Sequence, residues 1–177
     1  MTNRKLEVIT AVGSDRPGLV SALSKLIHEA GANLEDSRMA VLGGEFAIVV
    51  LYSGDDGAIA NLKRSADAAQ SELGLTLFFK STQRAAPSGD ARAYRLQVSG
   101  LDHPGIVHHI TGILARHEVN VDSLDTEVVY APMAGTPTFV MRANLRVPGT
   151  VPIARLRDAL CDQCDEENLD LLLEARV

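Results

Sequence analysis

Two copies of a short Asp-x-Pro-Gly segment, at 15–18 and 102–105, carry the residue types best suited to chemistry in this chain. Pro favours the first turn of a helix, and an Asp just before it can cap free backbone donors. A helix N-terminus also offers free N–H groups and positive potential to an anion, and Gly18 or Gly105 lets a small ligand approach the backbone closely. The segment therefore permits two interpretations, a helix cap or a loop that binds a carboxylate.

An asparagine stands fifteen residues after the glycine of each segment, at Asn33 and Asn120. Each directly precedes a stretch with the composition of a β-strand. One interpretation is that Asn tolerates the left-handed backbone that often follows a helix. The other is that its side-chain amide hydrogen-bonds a ligand held between subunits. The same spacing in both copies strengthens the second interpretation, and the sequence leaves both open.

The cysteines and paired histidines favour structural roles over chemical ones. Cys161 and Cys164 lie three residues apart, and a zinc site would need a second pair of Cys or His ligands, which the sequence nearby lacks. His108 and His109 are neighbours on a predicted helix, where adjacent side chains point about 100° apart and cannot share a ligand. We therefore expect no metal, no cofactor and no catalytic residue.

The charge balance excludes one common class of partner. The 177 residues include 17 Lys and Arg against 23 Asp and Glu, which gives a formal charge of −6 and a pI near 5.3. Proteins that grip nucleic acid through its phosphates usually have a domain pI above about 9, so direct nucleic-acid binding is not expected. Four acidic residues near the end of a predicted helix, at 162 and 165–167, are interpreted as a solvated face.

Neither targeting nor membrane insertion is expected from the hydrophobic pattern. The longest strongly apolar run is 46–52, which is too short for a membrane span. The N-terminus reaches Glu7 before any apolar core forms, so no signal peptide is predicted. Two closely spaced cysteines do not make a disulfide framework. We therefore expect a cytoplasmic protein.

The chain repeats itself at a constant offset of 87 residues. Residues 8–35 align without a gap on residues 95–122. The identical pairs are Gly13 and Gly100, Asp15 and Asp102, Pro17 and Pro104, Gly18 and Gly105, Val20 and Val107, and Asn33 and Asn120. Small, polar, Pro and Gly residues between the copies have the composition of a linker. We predict a first domain at 1–84, a linker at 85–91 and a second domain at 92–177.

Each copy has the hydrophobic pattern of strand, helix, strand, strand, helix and strand. Apolar and β-branched stretches predict the strands, and apolar residues at helical spacing predict helices with one buried face. Gly31 and Gly74 are expected to end the two helices of the first copy, and Gly43-Gly44 marks a hairpin. The predicted ranges are strand 6–12, helix 19–30, strands 34–42 and 45–53, helix 59–73 and strand 75–79, then strand 93–100, helix 104–117, strands 121–130 and 137–146 around a loop at 131–137, helix 152–165 and strand 168–176.

This order predicts an α+β fold with two ferredoxin-like domains in tandem. A βαββαβ unit forms a four-stranded antiparallel sheet with both helices on one face, and the other face must be polar or covered. Sheet edges leave unpaired backbone groups that pair side by side or are protected by charge. Sheet pairing within the chain and pairing across a homodimer both remain open, and a homodimer is the assembly we expect.

The βαββαβ unit with Asp-x-Pro-Gly before its first helix and Asn before its second strand resembles the ACT domain, a regulatory module that binds amino acids. The resemblance covers nearly the whole chain, twice. Residues 8–20 and 33–46 resemble, more narrowly, the family of glycine cleavage system transcriptional repressors, which are small tandem ACT-domain proteins. The resemblance implies a regulator that contacts and restrains a transcription activator, rather than reading DNA, with glycine as the effector.

The resemblance also implies which residues contact the ligand. In the first copy these positions are Asp15, Arg16, Pro17, Gly18, Leu19 and Asn33. In the second copy they are Asp102, His103, Pro104, Gly105, Ile106 and Asn120. The copies differ because His103 stands where the first has Arg16, and because residues 121–125 lack the Glu-Asp-Ser-Arg run of 35–38. The second loop is therefore expected to bind a different ligand or none.

Three hypotheses about function follow. The first is a non-enzymatic regulatory protein that senses a small amino acid, with glycine implied, and changes its contact with a partner protein. The second is a ligand-independent ACT-type dimerisation or interaction module. The third is an enzyme of formyl-folate metabolism, because the loop also resembles the N-terminal regulatory part of formyltetrahydrofolate deformylase. Two repeats leave no room for that enzyme's additional catalytic domain, so we do not expect an enzyme.

Overall fold

The computed structural model describes residues 4–84, 89–130 and 137–176, and the chain divides into two compact units, Met1–Ala86 and Pro87–Val177. The elements of the first unit are β1 Lys5–Ser14, α1 Leu19–Glu29, β2 Asn33–Leu42, β3 Glu45–Gly54, α2 Asp56–Leu73 and β4 Leu75–Thr82. Those of the second are β5 Arg92–Leu101, α3 Ile106–Arg116, β6 Asn120–Tyr130, β7 Pro137–Val147, α4 Ile153–Glu167 and β8 Leu169–Ala175. The predicted order of elements is confirmed in both units.

Each unit contains one four-stranded antiparallel sheet. The strand order is β2-β3-β1-β4 in the first unit and β6-β7-β5-β8 in the second. The first strand of each unit therefore lies inside its sheet, between the third and the fourth. Both helices of a unit cover one sheet face, as the two separate cores show. The α+β prediction of tandem ferredoxin-like domains is confirmed.

Alternation along the strands decides which face of each sheet meets the helices. In β1 the odd-numbered Ile9 and Ala11 are fully buried, whereas their even-numbered neighbours point to the other face. Leu19, Leu23 and Ile27 recur every four residues and bring one side of α1 onto this apolar layer. The alternation along the strands and the spacing along the helices, which predicted these elements, therefore also bring the core residues together.

One carboxylate lies in the core of the first unit. Glu7 of β1 accepts hydrogen bonds from the Tyr52 hydroxyl at 2.7 Å, the Lys63 ammonium at 2.7 Å and the Ser81 hydroxyl at 2.9 Å. Burial alone would raise the pKa of Glu7, but the bonds from Lys63, Tyr52 and Ser81 hold it below its usual value. Burial and the same carboxylate raise the pKa of Tyr52. In the second unit, Tyr94 occupies the position of Glu7.

Left-handed backbone marks the end of the first helix in each unit. Gly31 has a φ of 82° directly after the C-cap of α1, as its type predicts. Its counterpart in the second unit is Glu118, which adopts a φ of 55° despite its side chain. The two units therefore use the same turn with unequal backbone strain.

The second helix of the first unit begins earlier than predicted. α2 starts at Asp56 because the Asp55 side chain caps it by accepting a 2.8 Å hydrogen bond from the Ala58 N–H. The apolar residues that predicted the helix begin only at Ile59, so their pattern could not show this first turn.

Two predicted segments fall on residues outside the described ranges. Residues 85–88 of the predicted linker and residues 131–136 of the predicted hairpin loop belong to them. The exact domain bounds therefore remain predictions. Among the helices of the described ranges, none combines the length and the apolar character needed to cross a membrane.

Candidate functional site

The first Asp-Arg-Pro-Gly segment connects β1 to α1. The Asp15 N–H donates a 2.9 Å hydrogen bond to the Gly44 carbonyl, which ties the segment to the hairpin between β2 and β3. Gly18 is the N-cap of α1 and has a φ of 95°, a conformation that favours glycine. Within the described residues no side chain caps α1, so the capping role predicted for Asp15 is wrong. Pro17 precedes the helix and does not form its first turn.

The start of α1 faces a small open space. The first bond of the helix runs from the Ala22 N–H to the Gly18 carbonyl at 2.9 Å. The N–H groups of Leu19, Val20 and Ser21 precede that bond and lie at the positive end of the helix dipole. A cavity of about 260 Å³ adjoins them, lined by Asp15, Arg16, Gly18, Leu19, Val20, Ser21, Met39 and Phe46. A Cβ placed on Gly18 would meet no atom within 4 Å.

Arg16 connects this loop to the end of the second helix. Its Nη2 donates hydrogen bonds to the Glu72 carbonyl at 3.2 Å and to the Leu73 carbonyl at 3.1 Å. These carbonyls belong to the last turn of α2, where a cation is favoured by the helix dipole. The guanidinium therefore fixes the loop against α2 while the side chain still borders the cavity.

The second loop has the same backbone but different surroundings. Gly105 has a φ of 105° and precedes α3, and the Asp102 N–H donates to the Pro137 carbonyl at 3.2 Å. A Cβ on Gly105 would lie 3.1 Å from the His109 ring. The space above the second glycine is therefore filled by a side chain of the same unit, in contrast to the open space above Gly18.

A carboxylate at the end of α4 binds His109 of α3 and lies near His103 of the second loop. Glu167 accepts a hydrogen bond from His109 Nδ1 through Oε1, and a second at 3.0 Å from Gln163 Nε2. The Nε2 atom of His103 lies 3.8 Å from the buried Oε2, which has no hydrogen-bond partner among the described residues. His103 thus approaches the end of α4 as Arg16 approaches the end of α2.

Sequence reasoning missed Glu167 as a member of this site. Its side chain is 11% exposed, so the solvated face predicted for 162 and 165–167 is wrong at this residue. The only signal in the sequence was an acidic residue at the predicted end of α4, and nothing in the pattern showed that His109 would meet it. The contact between Glu167 and His109 joins residues that are 58 positions apart in the sequence.

The two asparagines lie at the opposite end of their sheets from the loops. Asn33 begins β2 and pairs with Ser53, whereas Ser14, just before the loop, pairs with Glu45 at the other end of β3. Eight residues of strand separate these ends, about 27 Å. One unit therefore does not bring Asp15 and Asn33 together, and the same topology separates Asp102 from Asn120.

Each asparagine amide is used next to a β-bulge. Asn33 Nδ2 donates to the Glu35 carboxylate at 3.3 Å, and Asn120 Nδ2 donates to that of Asp122 at 2.6 Å. The pairing register shifts beside both residues. Left-handed backbone occurs at neither asparagine, so that interpretation is wrong. Hydrogen bonds from Ser53 and Asn33 lower the pKa of Glu35.

The cysteines have surroundings typical of structural residues. Cys164 is buried in the second core, and burial raises the pKa of its thiol to about 11. A thiol of this kind carries little thiolate at neutral pH. Cys161 on the same helix is only partly buried. Across the described ranges, no group of three or more His, Cys, Asp and Glu residues has an arrangement that could hold a metal ion.

Comparison with known proteins identifies the family. Models of the ACT domain match residues 6–80 and 94–151. The chain is also 30% identical over 162 residues to the glycine cleavage system transcriptional repressor of Escherichia coli (strain K12), which covers 91% of this chain and 85% of that relative. The chain belongs to the ACT-domain family. The predicted resemblance to tandem ACT-domain repressors is confirmed.

Two further relatives extend the similarity of this tandem ACT-domain protein. A UPF0237 protein of Methanopyrus kandleri is 39% identical over 70 residues, which is 38% of this chain and 78% of that relative. The crystal structure of an unknown protein from Galdieria sulphuraria has a TM-score of 0.84 and 32% identity, with 99% of this chain and 100% of that chain covered. The tandem arrangement therefore also occurs in a solved structure.

Proposed function

We propose that this ACT-domain protein is a non-enzymatic regulator that senses a small amino acid and controls a transcription activator by direct contact. Its family membership supports a regulatory role, and the similarity to the glycine cleavage system transcriptional repressor points to glycine as the effector. The net charge of −6 agrees with action on a protein rather than on nucleic acid. Its place of action is the cytoplasm.

The first loop is the amino-acid site in this proposal. The observation that carries it is the open space above Gly18, since the His109 ring fills the same place in the second unit. The ligand carboxylate accepts hydrogen bonds from the N–H groups of Leu19, Val20 and Ser21. Its ammonium meets the exposed Asp15 carboxylate at the rim of the cavity. A cavity of about 260 Å³ lies below the size usual for larger ligands and favours a small one.

The remaining predicted site residues take part less directly. Arg16 and Pro17 hold the loop in position, and Leu19 forms the floor as a buried residue of α1. Asn33 reaches such a ligand only from a second copy of the chain, because it lies at the far end of its own sheet. An amide from a second copy would make ligand binding sensitive to assembly, as regulation requires.

The second loop has a structural role in this proposal. His103 and His109 are drawn towards Glu167, so Asp102, Pro104, Gly105 and Ile106 frame a space that the protein fills itself. The Asn120 amide donates to Asp122 and does not bind a ligand of its own unit in this proposal. We expect the second unit to serve contact with the partner protein while the first unit serves sensing.

Calorimetric scanning of the full chain with and without millimolar glycine tests this function. A ligand that binds only the folded state stabilises it by about 2.7 kcal/mol at a hundred times its dissociation constant, so the midpoint of unfolding should rise. Serine, alanine and the branched amino acids measure selectivity. If no amino acid moves the midpoint, the sensing function is contradicted and a ligand-independent interaction module takes its place.

Co-purification tests contact with the activator separately. The tagged full chain should retain the activator of the glycine cleavage genes from the same cell, and glycine should change the amount retained. Retention that ignores glycine would contradict the regulatory coupling. No retention in either condition would contradict the choice of partner, even if glycine still raises the midpoint of unfolding.

A further inference from the structure

The outer face of the first sheet, turned away from the helices, is apolar at its centre. Val8 and Val12 of β1 and Val49 of β3 point to this face, because each alternates with buried residues on its strand. Phe78 of β4 extends the surface to the edge of the sheet and is 62% exposed. Val49 is 47% exposed. An apolar surface continuous across three strands is typical of an interaction site.

The corresponding face of the second sheet is polar. By strand register, Arg95 and Ser99 occupy the positions of Val8 and Val12, and Arg142 occupies that of Val49. Arg142 forms an ion pair with Glu127 on the same face. Because both units share one fold, the fold itself does not require an apolar outer face. The first unit therefore carries this surface for a purpose that the second lacks.

We propose that the outer face of the first sheet docks on the same face of a second copy of the chain. The twofold axis runs along the strands, so β2 of one copy lies over β4 of the other. Two sheets packed in this aligned way lie about 10 Å apart and bury their facing side chains. An identical face is self-complementary under a twofold axis, which is the commonest symmetry of homodimers.

The pairing register supports this arrangement row by row. Asp36, Leu51, Val8 and Lys80 form one row across β2, β3, β1 and β4. A half-turn about an axis along the strands places the same row of the second copy over this one, in the reverse order. Asp36 then faces Lys80 of the second copy, and Leu51 faces Val8. Opposite charges meet at both ends of the row, with apolar residues between them.

The next two rows match in the same way. The row of Arg38, Val49, Thr10 and Phe78 brings Arg38 over the Phe78 ring of the second copy, a favourable cation–π contact. In the third row, Val12 faces the small Ala47. No row sets like charges against each other. In the polar face of the second unit, the equivalent row would instead bury Asp125 against Leu172, a charge against an apolar group, which is unfavourable.

The surface is large enough for a specific contact. Eight residues on each of four strands cover about 26 by 19 Å, or roughly 500 Å² in each copy. Two copies together bury about 1,000 Å², the lower bound of specific protein interfaces. A twofold axis along the strands keeps their direction, so Asn33 of the second copy also lies at the far end from the loop. Failure of dimerisation through this face would therefore leave the sensing function untouched.

Sedimentation velocity of the full chain over a range of concentrations tests the docking face. Phe78→Glu places a charge on the apolar surface at an exposed position, so folding should be preserved. The matched control is Leu172→Glu, because Leu172 occupies the equivalent outer position of the polar face and is 46% exposed. We expect a dimer for the unaltered chain and the control, and at least a tenfold higher dissociation constant for Phe78→Glu. A monomeric unaltered chain, or equal effects of both variants, would overturn the proposal.

A charge exchange tests the orientation of the two copies. Asp36→Lys and Lys80→Asp each set like charges against each other, so we expect each to raise the dissociation constant about threefold to tenfold. The double variant restores opposite charges and should recover most of the loss. A double variant no better than the product of the single effects would overturn this arrangement. A dimer that uses another surface, such as the outer edge of β2, would also give this contradicting result, because neither single variant would then change the dissociation constant.

Discussion

At the scale of single residues, the two loops differ through long-range contacts rather than through their own backbone. Arg16 reaches the last carbonyls of α2, and His103 approaches Glu167 at the end of α4. The motif predicted both connections from strand to helix, which the structure confirms, whereas close approach of a ligand to their glycines stays a prediction. Glu167 could not be predicted, because neither hydrophobic period nor spacing shows which residues meet across 58 positions. The open and the filled loop are therefore properties of tertiary structure.

The buried carboxylate of Glu7 should make stability depend on pH. Its pKa is lowered in the folded state, so its contribution is present above its unfolded value near 4.3 and is lost as pH falls through the folded value. We expect Glu7→Gln to lower the free energy of unfolding by about 1 to 2 kcal/mol at pH 7, because charged hydrogen bonds are lost.

Thermal unfolding at pH 7, 5 and 3 measures this contribution. The difference between the unaltered chain and Glu7→Gln should shrink as the pH falls below 5, because the unfolded state binds a proton there before the folded carboxylate, whose pKa is lowered, does so. The exposed Glu45→Gln serves as the control and should show a small effect at every pH. A Glu7→Gln difference that stays constant from pH 7 to pH 3 would contradict the network described around Glu7.

At the scale of elements, the hydrophobic periods predicted every strand and helix in order. Errors occur where the element begins through a cap rather than through apolar residues. α3 begins at Ile106, after the left-handed Gly105, rather than at residue 104, and α2 begins at a turn capped by Asp55. The bulges beside Asn33 and Asn120 were also missed, because an extra residue in a strand leaves no clear mark in an exposed sequence.

The end of the first helix offers a reciprocal test within one molecule. Gly31→Ala should destabilise the first unit by about 1 kcal/mol, since a side chain is disfavoured in left-handed backbone. Glu118→Gly should stabilise the second unit by up to about 1 kcal/mol for the same reason. Urea unfolding measures both changes. Effects of the same sign would contradict the assignment of left-handed strain to this turn.

At the scale of the whole molecule, one fold is used twice with its surfaces specialised. The first unit keeps an open loop and an apolar outer face, whereas the second fills its loop and carries charges outside. The repeat predicted the shared fold because core positions recur at a fixed offset. It could not predict the specialisation, since that depends on which exposed residues share a sheet face and which side chain enters a loop.

Isothermal titration of glycine into the full chain and two charge variants tests the central claim most directly. Ser21→Asp adds a carboxylate among the first N–H groups of α1, where it stabilises the helix but repels a bound carboxylate. His108→Asp makes the equivalent change at the third residue of α3. We predict saturable binding to the unaltered chain and to His108→Asp, and at least tenfold weaker binding to Ser21→Asp with no loss of thermal stability. Absence of binding to the unaltered chain, or its loss only in His108→Asp, would contradict a glycine sensor built on the first loop.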